Sequence, residues 1–197
     1  NQQLANTEVG SSLTSFLANR MTLSSDNSAS LFYSGMSEVL HLGTTPISVT
    51  LKRSVARLDL DTSRDANITV KSITVEGAPS SSAVWEPTAT TSSPGSAPLT
   101  VQFDTPITTR QDILHLYESA TPVKITVNAL YSNMPVVVKM SLPQIKRNYK
   151  YSITLSGVGE SVTGTLSIQP WQDGGAAEAT SSTKTISLNS ANSQIPA

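Results

Sequence analysis

The sequence predicts an all-β protein built of Greek-key sandwiches. Three observations predict it. From residue 31 onward apolar residues recur with a period of two, clusters of Gly, Pro, Ser and Asn separate the alternating runs, and no stretch carries a convincing helical period. A length of 197 residues suits one large sandwich or two small ones and does not choose between them.

Residues 1–30 are rich in Ser and Asn, with one apolar cluster from Leu13 to Leu23 whose spacing fits a short helix or a ragged strand about equally. Beyond it, Ile47, Val49 and Leu51 alternate, as do Leu58 and Leu60. Ile68 and Val70 alternate, then Ile73 and Val75, with one change of phase between the pairs. Leu99, Val101 and Phe103 make another half-buried strand. Val123, Ile125, Val127, Ala129 and Tyr131 share one face of a long strand, and Val136, Val138, Met140 and Leu142 share one face of the next, so the intervening SNMP is a hairpin turn. A second hairpin joins Tyr149, Tyr151, Ile153 and Leu155 through SGVGES to Val162, Gly164, Leu166 and Ile168, and two hairpins in succession predict a meander. Between the halves lies EGAPSSSAVWEPTATTSSPGSAPL, a long surface loop or the approach to a domain boundary, in which only Val84 and Trp85 offer an anchor. After Trp171 a Gly/Ala-rich stretch leads to KTISLNS, a lone strand-like segment with Ile186 and Leu188 on one face.

The stretch TLKRSVARLDL poses a separate question, because Lys52, Arg53 and Arg57 interrupt an apolar run. Ile47, Val49 and Leu51 fall on odd positions and Leu58 and Leu60 on even ones, so the buried face switches across Arg53–Arg57, as at a β-bulge. Arg53 and Arg57 are then expected along a solvated face with their stems packed, the alternative being a subunit contact or a buried ion pair.

Composition narrows the function. Charged residues are 14% of the chain, against roughly 25% in typical globular domains, while Ser and Thr make up more than a quarter of positions. The net charge is −1 and there is no basic run to neutralise phosphates, which argues against nucleic acid as a partner. The absence of Cys removes disulfides, thiolate nucleophiles and Cys-based zinc sites together. No apolar run approaches the roughly 20 residues that span a bilayer, and no signal segment precedes Asn1, so an exported protein is expected in a mature or trimmed form.

Catalytic signatures are weak. His41 and His115 are the only histidines and have no ligand-spaced partner; both read as surface or satisfied core residues. No G-x-S-x-G elbow presents a serine, and GVGESVTG joins two strands rather than opening a helix. Asp59 and Asp61 alternate on one strand, and Glu118, Glu160 and Asp173 lie in turns, with no cleft implied. No enzyme activity, metal or cofactor is expected. Trp85 in its loop is the exposed-looking aromatic able to stack on a sugar ring, whereas Trp171, ending a strand, reads as a core residue at the sandwich end. The sequon Asn67-Ile-Thr matters only in a eukaryotic secretory setting, which nothing here supports.

Taken in order, LFYSGMSEVLHL, VTLKRSVARLDL and ITVKSITVEGAP, then ILHLYES, RNYKYSITLSG and LSIQPWQDGG, resemble successive motifs of the Bacteroides-type fimbrillins, subunits of type V pili. The likeness runs over residues 31 to about 175; each motif alone is generic strand chemistry, and order and spacing carry it. One departure is that family members usually have further strands before the Met/Gly segment, where this chain has thirty residues. The resemblance implies two small transthyretin-like sandwich domains, expected over residues 1–103 and 104–178, with 179–197 as linker and extended donor strand. It implies a lipoprotein precursor exported to the outer cell surface. It also implies processing after an Arg, for which Arg20 in FLANRMTL is the candidate, and polymerisation with neighbouring subunits by strand insertion.

The physics of insertion is general: a sandwich lacking a strand exposes unpaired N–H and C=O groups beside an apolar slot, and an incoming strand satisfies both. Ile186, Leu188 and Ile195 are the expected groove-filling residues of the tail, an ordinary edge strand or disorder being the plainer reading. A reading from a different class is a cell-surface glycan-binding module, with Trp85 and Tyr117 as stacking platforms for host or bacterial sugars.

Overall fold

The computed structural model describes residues 8, 10–23, 31–35, 49–85 and 97–171. Among the described residues one short helix, α1 (Leu13–Leu17), precedes twelve strands: β1 (Arg20–Thr22), β2 (Tyr33–Ser34), β3 (Lys52–Arg53), β4 (Ala56–Asp61), β5 (Ile68–Glu76), β6 (Ser81–Ala83), β7 (Leu99–Ile107), β8 (Arg110–Leu116), β9 (Val123–Tyr131), β10 (Met134–Leu142), β11 (Tyr149–Val158) and β12 (Ser161–Pro170). The ambiguous cluster near the start resolves into both alternatives. Ser12 caps α1 by accepting from Ser15 N at 3.1 Å, and the chain then straightens into β1.

Two four-stranded sheets carry the fold, ordered β10-β9-β5-β7 and β12-β11-β4-β8. Their alternating apolar residues meet in one continuous core that includes Leu58, Leu60, Tyr151, Ile153 and Leu155 from one sheet and Ile68, Ile73, Val75, Ile125 and Val127 from the other. The phase change within β5 is a bulge between Val70 and Ser72: Ile107 stands opposite Val70 and Gln102 opposite Ser72. The hairpins stand as the turn signals predict. Ser132 and Asn133 both take positive φ between Tyr131 and Met134, as a two-residue turn matched to strand twist requires.

Three expectations are corrected. The β9–β10 and β11–β12 hairpins belong to different sheets, so they do not form a meander; the chain crosses between layers over residues 143–148, pinned there by the Ser119–Ile145 bridge. A boundary at residue 103 does not divide the strands. β4 pairs in parallel with β11, Leu58 beside Tyr151, and β5 pairs with β9, so each sheet draws on both sides of that position. The phase switch within TLKRSVARLDL is a change of sheet rather than a bulge: β3 pairs with β2, and after Ser54 and Val55 the chain enters a four-stranded sheet as β4. Val49 and Leu51, expected on a buried face, are exposed.

Candidate assembly site

One end of the sandwich is closed by a second apolar cluster of Met21, Val55, Val84, Tyr117 and Trp171. Two small sheets frame it, β1 with β6 and β2 with β3. The cluster therefore gathers the N-terminal segment, the Val84–Trp85 anchor of the long loop and the last described residue of the chain.

Two buried arginines organise this end. Arg147 lies at the layer crossing and is 5% exposed. Its Nε donates to Glu118 Oε2 at 3.0 Å and its Nη2 to Glu118 Oε1, completing a bidentate pair; Nη2 also donates to Ala83 O at 3.0 Å and Ser82 Oγ at 3.2 Å, and Nη1 to Val84 O at 3.4 Å. The guanidinium thus ties the segment before β9 to β6 and, through β6, to β1.

Arg53 is the second. It is 7% exposed, so its expected place on a solvated face is corrected. Its guanidinium carbon sits 4.5 Å from the centre of the Trp171 ring and 5.4 Å from that of Tyr33, and its Nη1 donates to Trp171 O at 3.1 Å. Arg57 also stacks on Trp171, at 5.1 Å, and pairs with Asp59 at 2.9 Å. The apolar run tolerates its cations because an indole face and a carboxylate receive them.

His115 completes the stack, its ring inclined 21° to that of Trp171 with centroids 5.7 Å apart, and its Nε2 2.8 Å from Asp112 Oδ1. Burial pushes its pKa below the ordinary value of 6.5; the Asp112 carboxylate opposes this and the Arg57 cation adds to it. An unfolded chain takes up the proton first as pH falls through 6.5, so the folded state loses stability in the window below that value. Thermal unfolding is expected to show a midpoint that declines from pH 7 to pH 5, with this part of the decline absent in His115→Gln; an identical slope in the variant would contradict it.

The residues singled out in the sequence are placed as follows. Arg20 lies in β1 opposite Ala83, half-buried, its Nη2 donating to Ser81 Oγ at 3.0 Å, and the next residue, Met21, is buried. A protease needs that strand released before it can read the bond. Tyr117 is fully buried and donates to Thr22 O at 2.8 Å, which corrects its expected role as a stacking platform. Trp85 is half-buried with its ring against Phe16, centroids 5.2 Å apart. Asp59 accepts from Asp112 N at 2.8 Å, and Asp61 has its pKa lowered chiefly by the hydrogen bond from Ser63. Ile186, Leu188, Ile195, His41 and Asp173 lie outside the described residues.

Beside this end runs an exposed apolar stripe. Tyr33 lies within the two-residue pairing of β2 and β3, Leu31, Val49 and Leu51 flank it, and all four are 45–61% exposed. It adjoins the Trp171 stack through Arg53, which touches both Tyr33 and Trp171. Elsewhere the β5–β7 bulge leaves a shallow cleft of about 350 Å³ lined by Lys71, Gln102, Phe103 and Asp104 among others. Among the described residues no group of three or more His, Asp or Glu is placed to hold a metal ion, and no helix is long and apolar enough to cross a membrane.

No family model and no curated protein sequence matches the chain. Solved structures similar to it include a tip fimbrial protein from Porphyromonas gingivalis, with 11% identity and a TM-score of 0.46 over 61% of this chain and 52% of that one. They also include a fimbrial protein from Bacteroides vulgatus, with 11% identity and a TM-score of 0.38 over 63% of this chain and 56% of that one. The chain thus covers little more than half the length of each.

Proposed function

We propose that this chain is a structural or adhesive subunit of a bacterial surface fimbria, exported to the outer cell surface, that joins its neighbours by strand insertion and carries out no catalysis. The observation that supports the reading is the stripe of Leu31, Tyr33, Val49 and Leu51. Large apolar side chains grouped on a surface mark an interaction site, and here they border one of the shortest strand pairings in the fold. An extended strand laid along this edge covers the side chains and pairs its backbone in one event. The tail supplies a segment of suitable pattern, with Ile186 and Leu188 alternating and Ile195 beyond. Maturation follows cutting after Arg20 once β1 is loosened from β6.

Strand exchange of this kind is kinetically trapped, so the mature protein is expected to run as a heat-resistant ladder on a denaturing gel. Deleting residues 184–197 collapses the ladder to a single band while leaving the thermal unfolding midpoint in place. A ladder that survives the deletion would rule the tail out as the inserted strand.

A further inference from the structure

Residues 172–197 follow Trp171 directly, and Trp171 follows β12, which among the described residues is an edge strand paired with β11 alone. Tyr149 pairs with Pro170 at the end of this ladder nearest the tail. Tension arriving through the tail would meet that rung first and open the ladder one rung at a time, the weakest way to load a strand.

The contacts of Trp171 lead elsewhere. Its N–H donates to Asn148 O at 2.8 Å, adding one rung beyond the ladder. Its carbonyl is held by Arg53 at 3.1 Å and its ring by the guanidinium groups of Arg53 and Arg57 and by the His115 imidazole. Those three side chains come from β3, β4 and β8, none of which is β11 or β12. Arg57 and His115 stand side by side across the β4–β8 pairing, so a pull on the indole spreads over one central and one edge strand of the far half of the sheet. Asn148, held at a positive φ of 59°, has its own N–H tied to Val55 O at 2.9 Å, which keeps the extra rung in line with the β3–β4 segment.

We infer that the Trp171 stack is a mechanical clamp that passes tension from the C-terminal segment to β3, β4 and β8 before it reaches the edge strand β12. That the segment bears tension rests on the reading above of the tail as the inter-subunit strand. The clamp itself is measured on a single full-length chain, so loss of the ladder after tail deletion and failure of the clamp are separate results.

The chain has no cysteine, which makes engineered attachment points unambiguous. The experiment pulls single molecules at constant force between Asn133→Cys and Ala197→Cys, and in a second geometry between Thr109→Cys and Asn133→Cys, which leaves the tail slack. Trp171→Leu keeps an apolar side chain and removes the π face that receives the cations; Trp171→Phe keeps a smaller ring should the first variant fold poorly. Under tail loading the Leu variant is expected to unfold roughly ten-fold faster than the parent and the Phe variant by less, with rates unchanged in the internal geometry. Equal acceleration in both geometries would reduce Trp171 to an ordinary contributor to stability, and no acceleration under tail loading would remove the clamp altogether.

Discussion

Arg147→Ala is expected to lower the free energy of unfolding by about 3 kcal/mol, read as a fall in the urea midpoint at unchanged slope. The cause is not one lost ion pair. Glu118 is a third exposed and regains water when its partner goes, whereas Ala83 O, Val84 O and Ser82 Oγ lose their donor at a buried place. Glu118→Ala strands a guanidinium whose side chain is 3% exposed and is expected to cost as much or more. In the double variant Arg147→Met with Glu118→Gln neither charge is left alone, and part of the loss returns. A loss below about 1 kcal/mol in Arg147→Ala would mean that β6 is held by its neighbours without the clamp.

Ile153→Ala is the second large effect, about 3–4 kcal/mol by the same measurement. Ile153 is fully buried in the middle of β11, which is hydrogen-bonded on both sides, to β12 through Leu166 and to β4 through Leu60. Neighbouring side chains on both strands are fixed by the ladders, so the cavity has little room to collapse and the cost lies well above that of the transfer free energy alone. Volume-conserving Ile153→Leu is expected to cost less than about 1.5 kcal/mol. Similar losses in the two variants would place the site in a loosely packed region.

Much of the fold is legible because alternation reports which face of a strand is buried. The change of phase between Val70 and Ile73 anticipates the bulge at Val70/Ser72, and the two-residue register of SNMP follows from the runs on either side. What alternation does not carry is the identity of the neighbouring strand. The parallel pairing of Leu58 with Tyr151 and the division of the two hairpins between sheets are long-range choices, made by which faces close the common core. β8 is also hard to read, because Asp112 takes a positive φ of 55° and places the adjacent Ile113 and Leu114 both in the interior, where period two allows one.

The site shows the same limit. Arg53 and Arg57 look like solvated cations in their own segment, since the indole that receives them stands 118 residues beyond Arg53. Arg147 has a faint signal in the Arg-Asn pair that opens RNYKY: the Arg ties down β6 and Glu118, while Asn148 turns the chain with positive φ into β11. Tyr117 is misleading for a simple reason, as a tyrosine followed by glutamate near a turn reads as exposed until Thr22 O is seen to take its hydroxyl.

The parallel pairing of β4 with β11 also bears on how the protein is made. Its two strands are separated by nearly half of the chain, so β4 waits for its inner neighbour until residues past 149 have left the ribosome. A nascent N-terminal half thus lacks the inner strand that closes this sheet, and the sandwich is completed only late in synthesis.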